Sequence, residues 1–325
     1  MLYSKHRIKQ STEERNRGMD KIRKVMIVGL GALGTLYADA LKRADDTEVF
    51  VLVDEDRRRR YEKEPRILKG KECTFNYVTP DESSGPMDLI LVCVKSNGMK
   101  ESIDMIEGYV GEDTIIASLM NGVSFEELAA EKYGMEHVVY MTYMGDGVKN
   151  LNGEVYDTNI NGLFFGSLGN PKDEEQVALI DELYTRAQIR HQVMDDMLYS
   201  YWRKYILIVS FNQACAVFGS DYSVFYDAPR AMELAEKLID ECVPLAKAAG
   251  VARADELKED IIGAAKGIAP DCMPSIVQDR KMQRRMEVDI FSDEIIERSR
   301  ALGLDAPYNE MVSLILNVIN EQNGF

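Results

Sequence analysis

This 325-residue sequence predicts an α/β domain with a doubly wound, mostly parallel sheet, followed by an all-α domain. Three observations predict it. A glycine-rich turn separates an apolar run from a helical pattern near the start of the chain, apolar runs then alternate with helical patterns as far as about residue 195, and only helical patterns follow. Near-continuous apolar runs separated by helices are typical of parallel strands that are covered on both faces. The chain is long enough for two domains, each with its own core.

The glycine-rich turn is the most specific of these signals. It follows an apolar run at residues 25–28, and its sequence is Gly29-Leu30-Gly31-Ala32-Leu33-Gly34. In a Rossmann dinucleotide-binding domain, the first glycine permits the turn, the second lets a pyrophosphate approach the backbone, and the third lets helix and strand pack closely. The N-terminus of the following helix attracts phosphate. These six residues are the predicted pyrophosphate site; the alternative is a glycine-rich turn in an unrelated α/β unit.

A second apolar run ends in Asp54, 20 residues after Gly34. This is where a Rossmann domain carries the carboxylate that hydrogen-bonds the adenosine ribose, although Asp54 is also an ordinary strand-end or turn residue. A carboxylate there repels the 2′-phosphate of NADP, whereas the arginine run at 57–60 could clamp it, unless these arginines are a solvated helix start. On balance Asp54 weakly favours NADH as the cofactor.

The remaining patterns divide the chain into three parts. Residues 1–22 are predicted to be a basic extension, residues 23–195 the NAD(P)-binding Rossmann domain, and residues 196–325 a helical domain for substrate binding and dimerisation. Further strands are expected at 88–95, 114–120, 137–141 and 162–166, with helices at 124–133 and 172–188. In the second domain, helices are expected at 198–218, 229–249 and 306–321, and a long charged segment at 275–302.

Composition excludes several classes of partner. The net charge of −16 disfavours nucleic acid. No apolar run approaches the 18 residues of a membrane span, and the N-terminal segment lacks the apolar region of a signal peptide. Five scattered cysteines without a C-x-x-C pair, and only three histidines, predict neither a disulfide framework nor a metal site. We therefore expect a cytoplasmic protein that has no metal and acts on a small molecule.

The helix predicted at 198–218 carries two polar residues in an almost wholly apolar context. Lys204 and Asn212 lie eight residues apart, and so on one face with Ile208 between them. A lysine inside a buried helix must find a partner or titrate. The alternative is that Lys204 reaches solvent from the end of the helix.

Two more candidates lie in the charged segment at 275–302. Ser275 and Gln278 have the spacing of a capping box at a helix start. A capped N-terminus that faces a cleft also binds anions, so Ser275 can be both the helix cap and part of an anion site. Glu287 follows on the same predicted helix, where a solvated carboxylate is the alternative.

Together these residues resemble the ketopantoate reductase (2-dehydropantoate 2-reductase) family over about residues 25–318. The resemblance rests on the glycine motif, Val94-Lys95 after a strand, Asn121-Gly122 after the next one, Trp202-Arg203-Lys204 with Asn212, and Ser275-Ile276-Val277-Gln278-Asp279 followed by Glu287. Members of this family reduce a 2-oxo acid with a nicotinamide cofactor, and their default cofactor is NADPH. They join a Rossmann domain to a helical domain.

The resemblance implies roles for individual residues. Lys204 becomes the general acid and Glu287 the carboxylate that orients it. Asn212 and Ser275 become substrate contacts, Asn121 a contact of both substrate and cofactor, and Lys95 a cofactor contact. The chemistry agrees, because a hydride that reaches a ketone carbon puts negative charge on the oxygen, and a nearby ammonium stabilises that charge and delivers the proton.

One departure bears on the substrate. The family usually has an asparagine one turn after its lysine, where this chain has Ile208, and Ile208 cannot hydrogen-bond a substrate. The resemblance makes reduction of ketopantoate to pantoate, a step of pantothenate biosynthesis, the leading interpretation. Because of Ile208, a related reductase of another branched 2-oxo acid is the first alternative. A nucleotide-binding sensor without turnover is the alternative from another class. The resemblance allows a homodimer.

Overall fold

The computed structural model describes residues 19–325 except 83, 146–148, 152–153 and 157–159. Most of the basic extension predicted at 1–22 therefore lies outside the described residues. Within its described part, Ile22 is fully buried in the core of the first domain.

The first domain is built on a five-stranded parallel sheet, whose strands lie in the order β5 (Asn76–Val78), β2 (Glu48–Leu52), β1 (Lys24–Val28), β6 (Leu89–Val92) and β7 (Ile115–Ser118). This order places β1 in the centre, with β2 and β6 on its two sides, and it is the order of one half of a doubly wound sheet. Ligands of such sheets bind beyond the carboxyl ends of the strands, next to the central strand where the order reverses. The strands and helices as far as the fourth helix are β1 (Lys24–Val28), α1 (Ala32–Leu41), β2 (Glu48–Leu52), α2 (Glu55–Lys63), β3 (Arg66–Leu68), β4 (Lys71–Cys73), β5 (Asn76–Val78), β6 (Leu89–Val92), α3 (Met99–Met105), β7 (Ile115–Ser118) and α4 (Ser124–Tyr133).

Two smaller sheets complete the first domain. The elements are β8 (Tyr140–Gly145), β9 (Lys149–Leu151), β10 (Glu154–Tyr156), β11 (Ile160–Gly166), α5 (Pro171–Arg186) and β12 (His191–Val193). One sheet has the order β4-β3-β10-β9 and the other the order β12-β11-β8. The strands expected at 137–141 and 162–166 are thus β8 and β11, which pair antiparallel in the sheet that they share with β12.

The second domain is helical, and no strand occurs among the described residues after β12. Its elements are α6 (Met197–Leu207), a first π-turn (Ile208–Asn212), α7 (Gln213–Phe218), α8 (Val224–Asp227), α9 (Pro229–Ala248), α10 (Leu257–Lys266), α11 (Ser275–Lys281), a second π-turn (Asp289–Asp293), α12 (Glu294–Ala301) and α13 (Pro307–Gln322). In the part of the chain that the structure describes, no helix has the length and apolar character needed to cross a membrane.

The structure corrects the prediction for the segment 275–302 in two respects. The chain leaves the helix after Lys281 and passes through Gln283, whose φ is 52°, so Glu287 lies in an irregular segment and not on the same helix as Ser275. Ser275 is also not the cap. Pro274 occupies the N-cap position without a side-chain cap, and the Gln278 amide instead donates to the Met273 carbonyl oxygen at 2.9 Å.

Two apolar clusters cover the two faces of the parallel sheet. Met26 and Val28 of β1 belong to a cluster that continues into the helical domain, whereas Val25 and Ile27 belong to the cluster on the opposite face. The alternation follows from the two-residue period of a strand. The helical domain therefore shares the apolar cluster on one face of the sheet with the first-domain helices α3 and α4.

Candidate active site

The turn after β1 has the shape that a dinucleotide requires. Gly29 has a φ of 96°, and a Cβ atom there would meet Val94 Cγ1 at 2.8 Å. A Cβ atom on Gly34 would lie 1.9 Å from the Gly29 carbonyl oxygen, whereas one on Gly31 would meet nothing closer than 3.9 Å. Gly34 thus permits close packing of helix and strand, and Gly31 leaves open space for a ligand. Gly31 is the N-cap of α1 and provides no side-chain cap, so the first N–H groups of the helix are available to a pyrophosphate.

A cleft of about 360 Å³ opens in front of this turn. Gly29, Leu30 and Gly31 line its floor, while Ala32 and Leu33 are half-buried at the start of α1. Because β2 and β6 flank β1, the residues that follow them form the two sides of the cleft. One side holds Arg57, Arg60, Tyr61 and Arg66, and the other holds Lys95, Asn97 and Gly98.

Asp54 caps α2 at the edge of the cleft. Its carboxylate accepts a hydrogen bond from the Arg57 backbone N–H at 2.6 Å and pairs with the Arg57 guanidinium at 3.1 Å. The four arginines of the run 57–60 differ in their surroundings. Arg58 pairs with Glu62 and Glu82, and Arg59 pairs with Glu55, so only the other two arginines of the run line the cleft.

The loop after β6 joins the cleft to the helical domain. The Lys95 ammonium lies 2.9 Å from the buried Asp279 carboxylate, which also pairs with Arg284 at 2.8 Å. The Ser96 backbone N–H donates to Glu287 Oε1 at 2.9 Å. Burial raises the pKa of Glu287, and this hydrogen bond and the Lys95 charge oppose the increase. Lys95 and Glu287 therefore meet at one side of the cofactor cleft.

Lys204 lies elsewhere, on α6. Its ammonium is 5.9 Å from the centre of the Tyr143 ring on β8, and no described carboxylate lies within ion-pairing distance of it. Burial lowers the pKa of Lys204 to about 8, and the negative charge of Glu126 on α4 opposes the decrease. The structure thus does not pair Lys204 with Glu287, and the charged group that acts on Lys204 is Glu126.

The other predicted substrate contacts surround the two π-turns. Asn212 ends the first π-turn, and its Oδ1 accepts a hydrogen bond from the Tyr222 hydroxyl at 2.7 Å. Asn121 is half-buried, and the adjacent Gly122 lies against Ile290 of the second π-turn. Such turns are rare and frequently occur at functional sites.

The second π-turn is hydrogen-bonded to the residue that follows the first. Ser292 donates to Gln213 Oε1, at the start of α7, at 2.9 Å. Ile208 begins the first π-turn and is only 8% exposed. Ser275 is exposed at the start of α11, which packs against α7.

Sequence reasoning missed Arg66, Tyr61 and Glu126. Arg66 and Tyr61 reach the cleft from β3 and the far end of α2, and no motif connects them to the glycine turn. Glu126 and Glu127 are adjacent acidic residues at a helix start, and the sequence does not show which one is buried. A helical-wheel comparison with the buried Phe125 and Ala129 is the only signal that could have separated them.

The dinucleotide cradle of the first domain and the lysine-bearing helix of the second define an oxidoreductase that uses a nicotinamide nucleotide. Two family models make this class specific. The model "Ketopantoate reductase PanE/ApbA" matches residues 25–170, and the model of the C-terminal part of the same family matches residues 196–320. The chain therefore belongs to the ketopantoate reductase family.

Individual relatives agree with this assignment. The 2-dehydropantoate 2-reductase of Caulobacter vibrioides is 26% identical over 297 residues, which cover 90% of this chain and 98% of that protein. The structure of a D-mandelate dehydrogenase with NADH and anilino(oxo)acetate superposes with a TM-score of 0.80 at 19% identity, covering 92% of this chain and 99% of that one. A dimeric ketopantoate reductase from Staphylococcus aureus gives a TM-score of 0.73 at 18% identity, covering 93% and 100%. At these identities the two structures establish the fold.

Proposed function

We propose that this protein reduces a 2-oxo acid to the 2-hydroxy acid with a nicotinamide cofactor. The observation that supports this most is Lys204, a half-buried lysine whose pKa is lowered to about 8 by burial, on a helix of a chain whose other domain holds a dinucleotide cradle. A bound nicotinamide nucleotide would supply the hydride. Lys204 would hold the substrate carbonyl oxygen and give it the proton, because a group with a pKa near the working pH is an efficient acid.

The other site residues would hold the substrate and the cofactor. Asn212 accepts from Tyr222 through Oδ1, which leaves its amide N–H groups to donate to a carboxylate or carbonyl oxygen. Asn121 and Ser275 are the other proposed substrate contacts. Glu287 would help to position the loop after β6 on the cofactor side of the cleft, because it accepts a hydrogen bond from the Ser96 backbone and lies near the Lys95 charge. This differs from the orienting role beside Lys204 that the family resemblance implies.

We propose ketopantoate as the leading substrate. A 2-oxo acid with an apolar side chain is the second candidate, and the buried Ile208 favours it because its side chain offers a ligand only apolar contact. The likeness of the fold to that of a D-mandelate dehydrogenase is in line with this second candidate.

For the cofactor, we propose NADPH, although Asp54 alone favours NADH. The Asp54 charge is paired with Arg57, and the same side of the cleft also has Arg60 and Arg66. One carboxylate against three guanidiniums leaves a net positive side, which suits a 2′-phosphate that carries close to two negative charges. The default of the family points the same way.

We also propose that the protein is a cytoplasmic homodimer. Its five cysteines are free thiols, which fits a reducing compartment, and the Staphylococcus aureus relative is dimeric. Light scattering coupled to size-exclusion chromatography measures the oligomeric state directly.

Steady-state assays with a panel of 2-oxo acids and both cofactors test the reaction. We expect turnover with at least one branched 2-oxo acid, and a kcat at least about 100-fold lower for Lys204→Ala, the range expected for the loss of a positioned acid. An unchanged kcat in this variant would make Lys204 a structural residue. Tight nucleotide binding without turnover on any 2-oxo acid would instead favour a sensor.

A further inference from the structure

A carboxyl group is completely buried at the first turn of α4. Glu126 is 0% exposed, and its Oε2 accepts a hydrogen bond from the Tyr201 hydroxyl on α6. The Ser118 hydroxyl is close to the carboxyl group, but no described donor forms a hydrogen bond with Oε1. An incompletely paired buried carboxyl group is costly for stability. Such a group calls for a functional explanation.

The position of Tyr201 brings this carboxyl group to Lys204. The two residues are three positions apart on α6, and side chains with that spacing are neighbours on one helix face. Glu126 is hydrogen-bonded to the first of them, and its charge is the one that acts on the second. The Tyr143 ring on β8 also lies near the Lys204 ammonium, with its centre 5.9 Å away.

The other titratable groups near Glu126 do not replace it as the partner of Lys204. The Tyr140 ring packs edge-to-face on Tyr201 with the ring centres 5.1 Å apart, and burial raises the pKa of Tyr140 to about 12, so it stays neutral. Burial likewise keeps the pKa of Tyr201 well above its ordinary value. Glu127 points the other way and forms a two-bond pair with Arg298 of α12, at 2.7 and 3.0 Å.

We propose that Glu126, anchored by Tyr201, is a positioning residue that keeps the Lys204 ammonium charged and aimed into the site. The proposal rests on the function proposed above, in which Lys204 supplies the proton. Burial alone would make the Lys204 ammonium lose its proton at a lower pH. A buried carboxylate nearby offsets this effect without contacting the substrate, and the hydrogen bond from Tyr201 favours the ionised form of that carboxylate.

The two groups are expected to titrate as a coupled pair. Burial raises the pKa of Glu126 to about 7, with the Tyr201 hydroxyl opposing the increase, and the pKa of Lys204 is about 8. When the carboxylate is ionised and the ammonium is still protonated, each charge stabilises the other. This is the state that the proposed reduction needs.

The experiment measures the reactivity of the Lys204 amine directly, without relying on turnover. Trace acetic anhydride labels only unprotonated amines, and peptide mass spectrometry follows the labelling of Lys204 from pH 6 to pH 10. Glu126→Gln keeps the size and the hydrogen bond from Tyr201 but removes the charge. Glu127→Gln removes one charge at the next position and is the matched control. Tyr201→Phe is the second variant, in case Glu126→Gln does not fold.

In Glu126→Gln we expect a Lys204 pKa about one unit lower, from about 8 to about 7, and therefore about fivefold faster labelling at pH 7. Tyr201→Phe should shift labelling in the same direction, and Glu127→Gln by less than about twofold. The alkaline limb of kcat/KM should move to lower pH by the same amount in Glu126→Gln, with little loss at pH 6. Unchanged labelling in a folded Glu126→Gln variant would overturn the proposal. A labelling shift without any 2-oxo acid turnover in the parent protein would instead uphold the pair and refute the proposed function.

Discussion

Replacement of Arg57 by alanine tests whether the cofactor site prefers NADPH or NADH. Arg57 lines the cleft and pairs with Asp54 at 3.1 Å. Its removal takes away a guanidinium that can bind the 2′-phosphate and leaves the Asp54 carboxylate without its counter-charge. Both effects oppose NADPH, and neither opposes NADH, which has no 2′-phosphate.

The size of the effect follows from these two contributions. A hydrogen bond to a charged group contributes about 1.5–3 kcal/mol, which corresponds to roughly 10- to 100-fold in affinity. The repulsion from Asp54 would be about 4 kcal/mol at 4 Å and an effective dielectric constant of 20. Both side chains are more than 40% exposed, however, so water reduces this contribution to about 1 kcal/mol or less. The two contributions add to about 1.5–4 kcal/mol, so we expect a loss of roughly 10- to 1,000-fold for NADPH and of less than about threefold for NADH.

Isothermal titration of both cofactors checks this, with Arg59→Ala as the control because Arg59 pairs with Glu55 and does not line the cleft. Equal losses for the two cofactors would refute the reasoning, since Arg57 would then act on a part that they share. Asp54→Asn is the reciprocal test. A selective loss of NADH affinity in that variant would show that Asp54 holds the ribose and that the cofactor preference proposed here is wrong.

Three further predictions concern catalysis and folding. The kcat/KM for reduction should fall as the pH rises through about 8, because Lys204 is then deprotonated, whereas the kcat/KM for the reverse oxidation should rise. A flat pH profile over pH 6–10 would contradict an acid role for Lys204. Ile208→Asn should hold or improve kcat/KM if ketopantoate is the substrate, and it should weaken binding of an apolar 2-oxo acid; a folded variant without ketopantoate activity would count against ketopantoate. Gly34→Ala should lower the thermal midpoint of unfolding and abolish cofactor binding, because its Cβ atom would lie 1.9 Å from the Gly29 carbonyl oxygen. The control is Gly263→Ala on α10, which has open space around it and should leave the midpoint unchanged. Equal thermal midpoints for the two variants would show that the backbone at Gly34 adjusts.

The local elements were predictable from the sequence to a large extent. The parallel strands around the glycine motif are apolar runs, and the helix at 124–133 has the predicted bounds, because burial on both faces and helical periodicity leave clear patterns. The antiparallel pairing of β8 and β11 was not predictable, since an apolar run does not encode its partner. The break between Ser275 and Glu287 was also missed, because no Gly or Pro marks it, and non-glycine Gln283 adopts the positive φ.

The site was less predictable than the fold. The glycines had a motif with known geometry, and the structure places them as that motif requires. The surroundings of Lys204 depend on contacts between residues far apart in the sequence. Glu126 reaches it from 78 positions away, whereas Glu287 turns to the Ser96 backbone instead. Such contacts are set by how two domains pack, and this information is spread over the whole core.

The shared core has a consequence for how the chain is made. The apolar cluster that contains Met26 and Val28 also contains first-domain side chains such as Ile103 and Phe125, and it continues into the helical domain at residues such as Ile206. A nascent chain that has emerged only as far as β12 has the strands of its first domain, but this cluster is still incomplete. The apolar side chains at its open end are a target for chaperones or self-association until the helices arrive. Synthesis of the helical domain is therefore also the step that completes the core of the nucleotide-binding domain.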